Sequence, residues 1–162
     1  MSYQEKRTIA SLISGVLVLA AYCIYALSQY QANPAVLDDL KFWAITMLVF
    51  IGIGVAATIV IQIIFHILLA ISIAVKERDD KKVGKTMEAC TAEDEMDKLI
   101  ELKSSKVSFV IAGIGFVAGL VSIVLDFAPA VMLNIVFISC SFGSLLEGFV
   151  SLYYYRKGVK NA

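Results

Sequence analysis

Three polar side chains within long apolar stretches are the residues of this sequence that could do chemistry: Gln62, His66 and Glu147. A carboxylate and an imidazole inside a membrane can hold an ion or pass a proton, and an amide can hydrogen-bond to either group. Gln62 and His66 are four residues apart, so a helix would place both on one face. At ~1.5 Å per residue, all three side chains fall in one layer near the cytoplasmic face of the membrane. The sequence therefore predicts a candidate intramembrane polar site.

Three interpretations of this layer remain open. In the first, Glu147 pairs with His66 in an ion or proton site, and Gln62 is their hydrogen-bonding neighbour. In the second, the same residues form a structural clamp between the second and fourth helices. In the third, the side chains simply extend to nearby water. Polar groups near the interface cost less than polar groups at the midplane, which favours the second and third interpretations.

These residues need a membrane scaffold, and the composition predicts one. The chain has 162 residues, 59% of them hydrophobic and 17% charged, and its mean hydropathy is +0.81. Residues 42–75 contain no charged side chain, whereas about 20 apolar residues already cross a ~30 Å hydrocarbon core. We expect an all-α polytopic membrane protein with a single domain over residues 1–162. Its four transmembrane helices would form two hairpins, over residues 8–28, 42–75, 106–125 and 130–155, with a helical cytoplasmic segment at 76–105.

The basic residues predict the orientation of these helices. Lys and Arg cluster at residues 6–7, 76–106 and 156–160, and Lys41 is the only exception. With four spans, all three clusters lie on one side, which the positive-inside rule identifies as the cytoplasm. We therefore predict the cell (cytoplasmic) membrane, with both the N- and C-termini in the cytoplasm. Because the bases are mixed with acids and no soluble domain carries them, nucleic acid is not an expected partner.

Small residues at helical spacing predict where the helices approach one another closely. Membrane helices associate through close packing and polar contacts, because lipid removes the hydrophobic drive between them. The predicted helix-packing residues are Gly115, Gly119 and Gly148. The rows that contain small residues are Ser108, Ala112, Gly115, Gly119 and Ser122 in helix three, Cys140, Ser144, Gly148 and Ser151 in helix four, and Gly52, Gly54, Ala56 and Thr58 in helix two.

A few other side chains have predicted roles inside or at the edge of the membrane. Asn134 and Ser139 are expected to make helix–helix hydrogen bonds rather than to bind a ligand. Tyr22 lies deep enough in helix one to need a hydrogen-bond partner. Phe42 and Trp43 open helix two and are typical of the membrane–water interface.

The segment before helix three has the polar chemistry that protein recognition needs. Residues 91–94 predict a helix N-cap, and Met96, Leu99, Ile100 and Lys103 recur at helical spacing. These positions predict an amphipathic stretch that runs without interruption into helix three. The carboxylates nearby lack the alternating ligands and central glycine of a calcium-binding loop, so a solvated helix face is expected instead.

One element of this segment carries a resemblance. The residues from Asp94 to Lys103, DEMDKLIELK, lead into the third of four compact spans. In this arrangement the chain resembles small prokaryotic four-helix integral membrane proteins of a domain-of-unknown-function type. Such proteins are often encoded beside helix-turn-helix regulators, so the resemblance implies an accessory or signalling role. It implies no catalytic residues.

The sequence predicts a non-enzymatic protein. It has no nucleophile–base set, phosphate loop, metal-ligand set or haem-ligand pair, so we expect no cofactor and no metal. The leading hypothesis is a membrane accessory or regulatory protein that binds a protein partner through its cytoplasmic segment. The alternative is a small oligomeric transporter or channel, with Gln62, His66 and Glu147 at the inner end of its path. Both place the chain in a lipid bilayer, with a protein partner or further copies of itself.

Overall fold

The computed structural model describes residues 3–76 and 95–157, and almost all of this part is helical. Its elements are α1 (Tyr3–Ala32), a short 3-10 helix (Pro34–Asp38), α2 (Leu40–Lys76), α3 (Glu95–Val124) and α4 (Pro129–Lys157). The described residues form no strand. All four long helices are long and apolar enough to cross a membrane. The predicted all-α fold with four membrane helices is therefore confirmed, and the chain is a multi-pass membrane protein.

The bundle has two ends, one with the connections inside the hairpins and one with the other helix ends. The 3-10 helix and the turn at residues 125–128 lie at one end, which we call the hairpin side. Helices α1 and α3 begin, and α2 and α4 end, at the other end, which we call the terminal side. The predicted N-cap at residues 91–94 and most of the predicted cytoplasmic segment lie outside the described residues.

The helices run beyond the predicted spans. Helix α1 begins at Tyr3 rather than at Thr8, since no residue of the basic leader breaks the helix and Glu5 suits the positive end of its dipole. Helix α3 begins at Glu95, so the amphipathic stretch and the third span form one continuous helix, as expected. The 30 residues of α3 make about 45 Å of helix, so its first turns extend beyond a ~30 Å core.

Side chains fix the connection between α1 and α2. The carboxamide oxygen of Asn33 accepts a hydrogen bond from the backbone N–H of Ala35 at 3.1 Å and caps the 3-10 helix. A carboxylate oxygen of Asp39 accepts one from the backbone N–H of Phe42 at 2.9 Å and caps α2 in the same way. The indole N–H of Trp43 donates to the backbone oxygen of Val36 at 2.9 Å. These bonds set the angle at which α2 leaves the connector.

A buried cluster on the hairpin side holds α1, α2 and α4 together. It consists of Tyr22, Trp43, Met47 and Ala130, which we call the hairpin-side cluster. Trp43, which opens the second span, is 2% exposed, so its side chain packs inside the bundle. Its bond to the connector turns the ring inward.

Close packing joins α3 to α4 over most of their length. A Cβ atom added to Gly115 would overlap the side chain of Ser139, and one added to Gly119 would lie 3.0 Å from Met132. Further toward the terminal side, Gly143 of α4 packs against the backbone of Ser108. Glycines on both helices thus let the two backbones approach each other.

Helix α2 departs from this pattern. No heavy atom lies within 4 Å of a Cβ added to Gly52 or Gly54, and Ala56 is exposed. The hydroxyl of Thr58 donates to the backbone oxygen of Gly54 in its own helix at 2.9 Å. The prediction that these small residues pack against another helix was wrong. Helix α2 is joined to the bundle at the hairpin-side cluster, and Gly54 and Thr58 line an open cleft among the helices rather than pack against another helix.

Candidate functional site

A cleft of about 670 Å³ lies among the four helices and has walls rich in hydroxyl groups. We call it the polar cleft. The hydroxyl-bearing residues that line it are Thr8, Ser11, Ser14, Thr58, Ser104, Ser141, Ser144, Ser151 and Tyr155. The charged residues that line it are Arg7, Asp97, Glu101 and Glu147. Phe137 and Tyr155, both in its wall, are 18 residues apart on α4, so the cleft follows that helix for about 27 Å.

Glu147 is the acid in the middle of this cleft. It is half-buried, and it lies 8 residues from Tyr155 and 10 from Phe137 along α4. The hydroxyl of Ser105 on α3 donates a hydrogen bond to its Oε1 atom at 2.8 Å. This bond lies about one helical turn beyond the contact of Gly143 with Ser108, so the seam between α3 and α4 continues into it. The same glycine packing that joins the two helices therefore positions the carboxylate.

The other charged groups line the terminal side of the cleft. Arg7 lies in the second turn of α1, Asp97 and Glu101 lie in the first two turns of α3, and Tyr155 lies in the last turn of α4. Ser104, which is 1% exposed, donates its hydroxyl to the backbone oxygen of Ile100 at 2.7 Å. Charge is thus most concentrated where the helices extend beyond the apolar spans.

Aromatic rings line the opposite end of the cleft. Phe50 of α2 and Phe137 of α4 both contact Tyr22, with ring centroids 5.2 and 4.4 Å from the tyrosine ring. Tyr22 is fully buried, and its hydroxyl donates to Oδ1 of Asn134 at 2.7 Å. The predicted helix–helix hydrogen bond of Asn134 is therefore present. The cleft ends against the hairpin-side cluster, whose rings form a wall fixed by a hydrogen bond.

The three residues of the predicted polar site do not all line the polar cleft. Glu147 lines the polar cleft, whereas Gln62 and His66 do not belong to its walls. Gln62 is half-buried and His66 is exposed, both farther along α2 than Thr58, the cleft residue nearest to them in that helix. The hydrogen bond recorded for Glu147 comes from Ser105 on α3, rather than from the predicted neighbours on α2.

The row of small residues on α4 also has a mixed role. Gly148 packs against Leu12 of α1, since an added Cβ would lie 2.7 Å from its side chain. Ser144 and Cys140, about one and two turns before it, are exposed and line the polar cleft. Part of the row thus forms a cleft wall instead of a helix contact.

Sequence reasoning missed several residues of this site. The sequence assigns Arg7 to the basic cluster before the first span, Asp97 and Glu101 to a solvated helix face, and Ser105 to the position just before the third span. The signal that could have found the cleft is the density of hydroxyls along α1 and α4, where Ser11, Ser14, Ser141, Ser144 and Ser151 recur. Such residues are common at contacts between membrane helices, so on their own they do not distinguish a packed face from a cleft.

Within residues 3–76 and 95–157, no group of three or more His, Cys, Asp and Glu side chains converges closely enough to hold a metal ion. Cys23 and Cys140 are free thiols, and Cys140 lies in the cleft wall. What the arrangement offers chemically is a cleft lined by hydroxyls and carboxylates that ends at aromatic rings.

Comparison of the chain with protein-family models, with curated proteins and with solved structures finds no match.

Proposed function

We propose that this protein is a non-enzymatic membrane accessory or regulatory subunit that binds a partner protein through the first turns of α3. The supporting observation is a set of apolar side chains on a stretch that extends beyond the apolar span. Met96, Leu99 and Leu102 are 47%, 39% and 65% exposed. Ile100, the residue after Leu99 and so about 100° around the helix from it, is 1% exposed. The side of this helix that carries Ile100 is thus already packed within the molecule, and the neighbouring side presents apolar groups for a second contact.

The charges beside these side chains suit a helical partner. Glu95 and Lys98 are exposed in the same turns, so a partner helix could combine an apolar stripe with complementary charges. Exposed apolar side chains that recur every three residues on a helix are typical of a face that packs into a groove or against another helix. This proposal extends the sequence-based hypothesis to a particular face of α3.

Site-specific photocrosslinking in native membranes tests the proposal. A photoreactive amino acid at position 99 should give a discrete protein adduct, and the adduct should weaken when Met96 and Leu102 are both changed to serine. The matched control is position 109, because Phe109 is 80% exposed on the apolar span of the same helix. Lipid adducts alone at position 99, in the same pattern as at position 109, would show that this face lies on the membrane surface and would contradict the proposal.

A second candidate function, transport, has its own supporting observation. Glu147 is an acid within an apolar span, and it lies in a cleft lined by hydroxyls. An intramembrane carboxylate of this kind is typical of ion and substrate pathways. We infer that Glu147, rather than Gln62 or His66, would be the central group of such a path. Four spans per chain rarely enclose a path alone, so transport predicts a stable dimer or larger assembly, and a strictly monomeric mass in native detergent micelles would argue against it.

A further inference from the structure

The dimensions of the polar cleft limit what it can hold. Its volume of about 670 Å³ is within the range of roughly 300–1,000 Å³ that is typical of sites for drug-sized organic molecules. A bare metal ion would need several oxygen or nitrogen ligands that converge at about 2–2.6 Å. No three described His, Cys, Asp or Glu side chains form such a group. The volume of the cleft therefore suits an organic molecule.

The charge of the cleft indicates the sign of the charge that its ligand would carry. Three carboxylates, on Asp97, Glu101 and Glu147, and one guanidinium, on Arg7, line it, which leaves an excess of two negative charges when all are ionised. A cleft with low-dielectric walls concentrates the field of its charges and attracts counter-ions. Glu147 lies farthest from the terminal side of the four, along a span that is otherwise free of charge. A positively charged ligand group would compensate this carboxylate inside the membrane.

The side chains at the hairpin end of the cleft indicate the chemistry of the rest of the ligand. Leu19 and Val18 of α1 lie there with Phe50 and Phe137, so this end is apolar and aromatic. Aromatic faces attract cations as well as apolar groups. The contacts of both phenylalanine rings with Tyr22 hold them in place before any ligand arrives. A ligand with a cationic centre and an aromatic or aliphatic body would match the cleft from its acidic part to its apolar end.

We propose that the polar cleft binds an amphipathic organic cation, whose charge lies near Glu147 and whose apolar body lies against Phe50 and Phe137. The hydroxyls of the walls would solvate the parts of the ligand between these two regions. This inference deepens the transport candidate and rests on the same site. Equilibrium binding tests it without any measurement of flux, so a failure to bind and a failure to transport are distinguishable.

The test uses two ions of the same shape and opposite charge. The full-length protein in lipid nanodiscs is dialysed to equilibrium against tetraphenylphosphonium, a cation, or tetraphenylborate, its anionic counterpart, and binding to empty nanodiscs is subtracted. We expect saturable binding of the cation and none of the anion. Equal binding of the two ions, or binding of neither, would overturn the proposal.

Two variants locate the bound cation. Glu147→Gln should weaken cation binding by about tenfold or more. The glutamine carbonyl can still accept the hydrogen bond from Ser105, so the contact between α3 and α4 is kept. Ser144→Phe should abolish binding, because it fills the cleft at an exposed position without changing charge.

The matched control is Asp126→Asn, which removes one negative charge from the exposed turn on the hairpin side. It should leave the affinity for tetraphenylphosphonium unchanged. If Glu147→Gln changes the affinity no more than Asp126→Asn does, the cation is bound elsewhere and the proposal is wrong. Circular dichroism and gel filtration of each variant establish that it is folded.

Discussion

At the scale of single residues, the hydroxyl of Tyr22 makes a polar contact between distant parts of the chain. It donates to Oδ1 of Asn134 at 2.7 Å, and Nδ2 of Asn134 donates in turn to the backbone oxygen of Ala130 at 2.8 Å. The second bond fixes the orientation of the amide, so the acceptor already faces α1 when the tyrosine packs. Hydrogen bonds between membrane helices contribute about 0.6 kcal/mol on average and up to about 1.7 kcal/mol.

Tyr22→Phe should therefore lower the free energy of unfolding by about 1 kcal/mol, because it removes the bond and keeps the ring. The measurement is unfolding of the purified protein in mixed micelles by titration with a denaturing detergent. A double-mutant cycle with Asn134→Ala gives the interaction free energy between the two side chains, separate from the other effects of each substitution. Tyr153→Phe is the matched control, since Tyr153 is 55% exposed. A coupling free energy near zero would mean that the bond does not join α1 to α4.

Asp126 is the second residue with a clear local constraint. Its φ of 59° lies in the left-handed region, where it ends α3. The backbone N–H of Phe127 donates to the oxygen of Ser122 and that of Asp126 to the oxygen of Ile123, both at 3.0 Å. This is a Schellman motif, in which glycine is the usual residue at the left-handed position.

Asp126→Gly should accordingly raise the free energy of unfolding by up to about 1 kcal/mol, because glycine has no Cβ to strain. Asp126→Ala should lower it, since alanine keeps the Cβ and lacks the short polar side chain that makes the left-handed region accessible to aspartate. The midpoints of thermal unfolding of the two variants, measured in one detergent, check the order. A stabilised alanine variant would contradict the assigned motif.

At the scale of helices, the contact between α3 and α4 depends on the absence of a side chain at Gly115. Gly115→Ala should destabilise the protein by roughly 1–3 kcal/mol, because its Cβ would overlap Ser139 and separate the helices. Gly113 is two residues away in the same helix, and nothing lies within 4 Å of its added Cβ. Gly113→Ala should therefore stabilise by roughly 0.5–1 kcal/mol through helix propensity alone. Unfolding of the two variants by a denaturing detergent measures the difference in their stability. Equal effects would contradict the close approach of α3 to α4 at Gly115.

The sequence predicts such contacts well for some helices and poorly for others. In α3 the row of small residues coincides with a buried seam that includes Gly115, Gly119 and Ser122. In α2 a similar row, at Gly52 and Gly54, meets nothing. Spacing shows which residues share a face of a helix, but the angle at which the helix leaves its connector decides whether another helix lies against that face. For α2 that angle depends on bonds of Asp39 and Trp43, which sequence spacing does not reveal.

At the scale of the whole molecule, the same limit on what spacing predicts explains why the candidate site was predicted only in part. Counting residues from the membrane boundary predicts the depth of Gln62, His66 and Glu147, because the rise of a helix is constant. It does not predict their rotation about the helix axes. Glu147 is directed into the polar cleft by the seam with α3, whereas Gln62 and His66 lie beyond the part of α2 that lines it. The number of spans and the hairpins follow from hydropathy, and the cleft follows from packing.

The arrangement of contacts divides the molecule into a firmly packed pair, α3 with α4, and a helix, α2, that is held mainly at the hairpin-side cluster. Trp43→Ala removes the largest side chain of that cluster and its bond to Val36. We therefore expect this variant to release α2 from the bundle while the α3–α4 pair stays intact. Since α2 contributes Phe50 and Thr58 to the polar cleft, the same change should widen it.

Distances between spin labels in lipid nanodiscs test this prediction. One pair joins exposed positions on α2 and α4, Ile59 and Phe142, and the control pair joins Val110 of α3 to Phe142. Before labelling, the native cysteines Cys23, Cys90 and Cys140 are replaced by alanine. Trp43→Ala should broaden the α2–α4 distribution and leave the α3–α4 distribution unchanged. Equal broadening of both pairs would mean that the bundle loosens as one unit, and no broadening would mean that contacts elsewhere hold α2, so that the cleft keeps its width without the tryptophan.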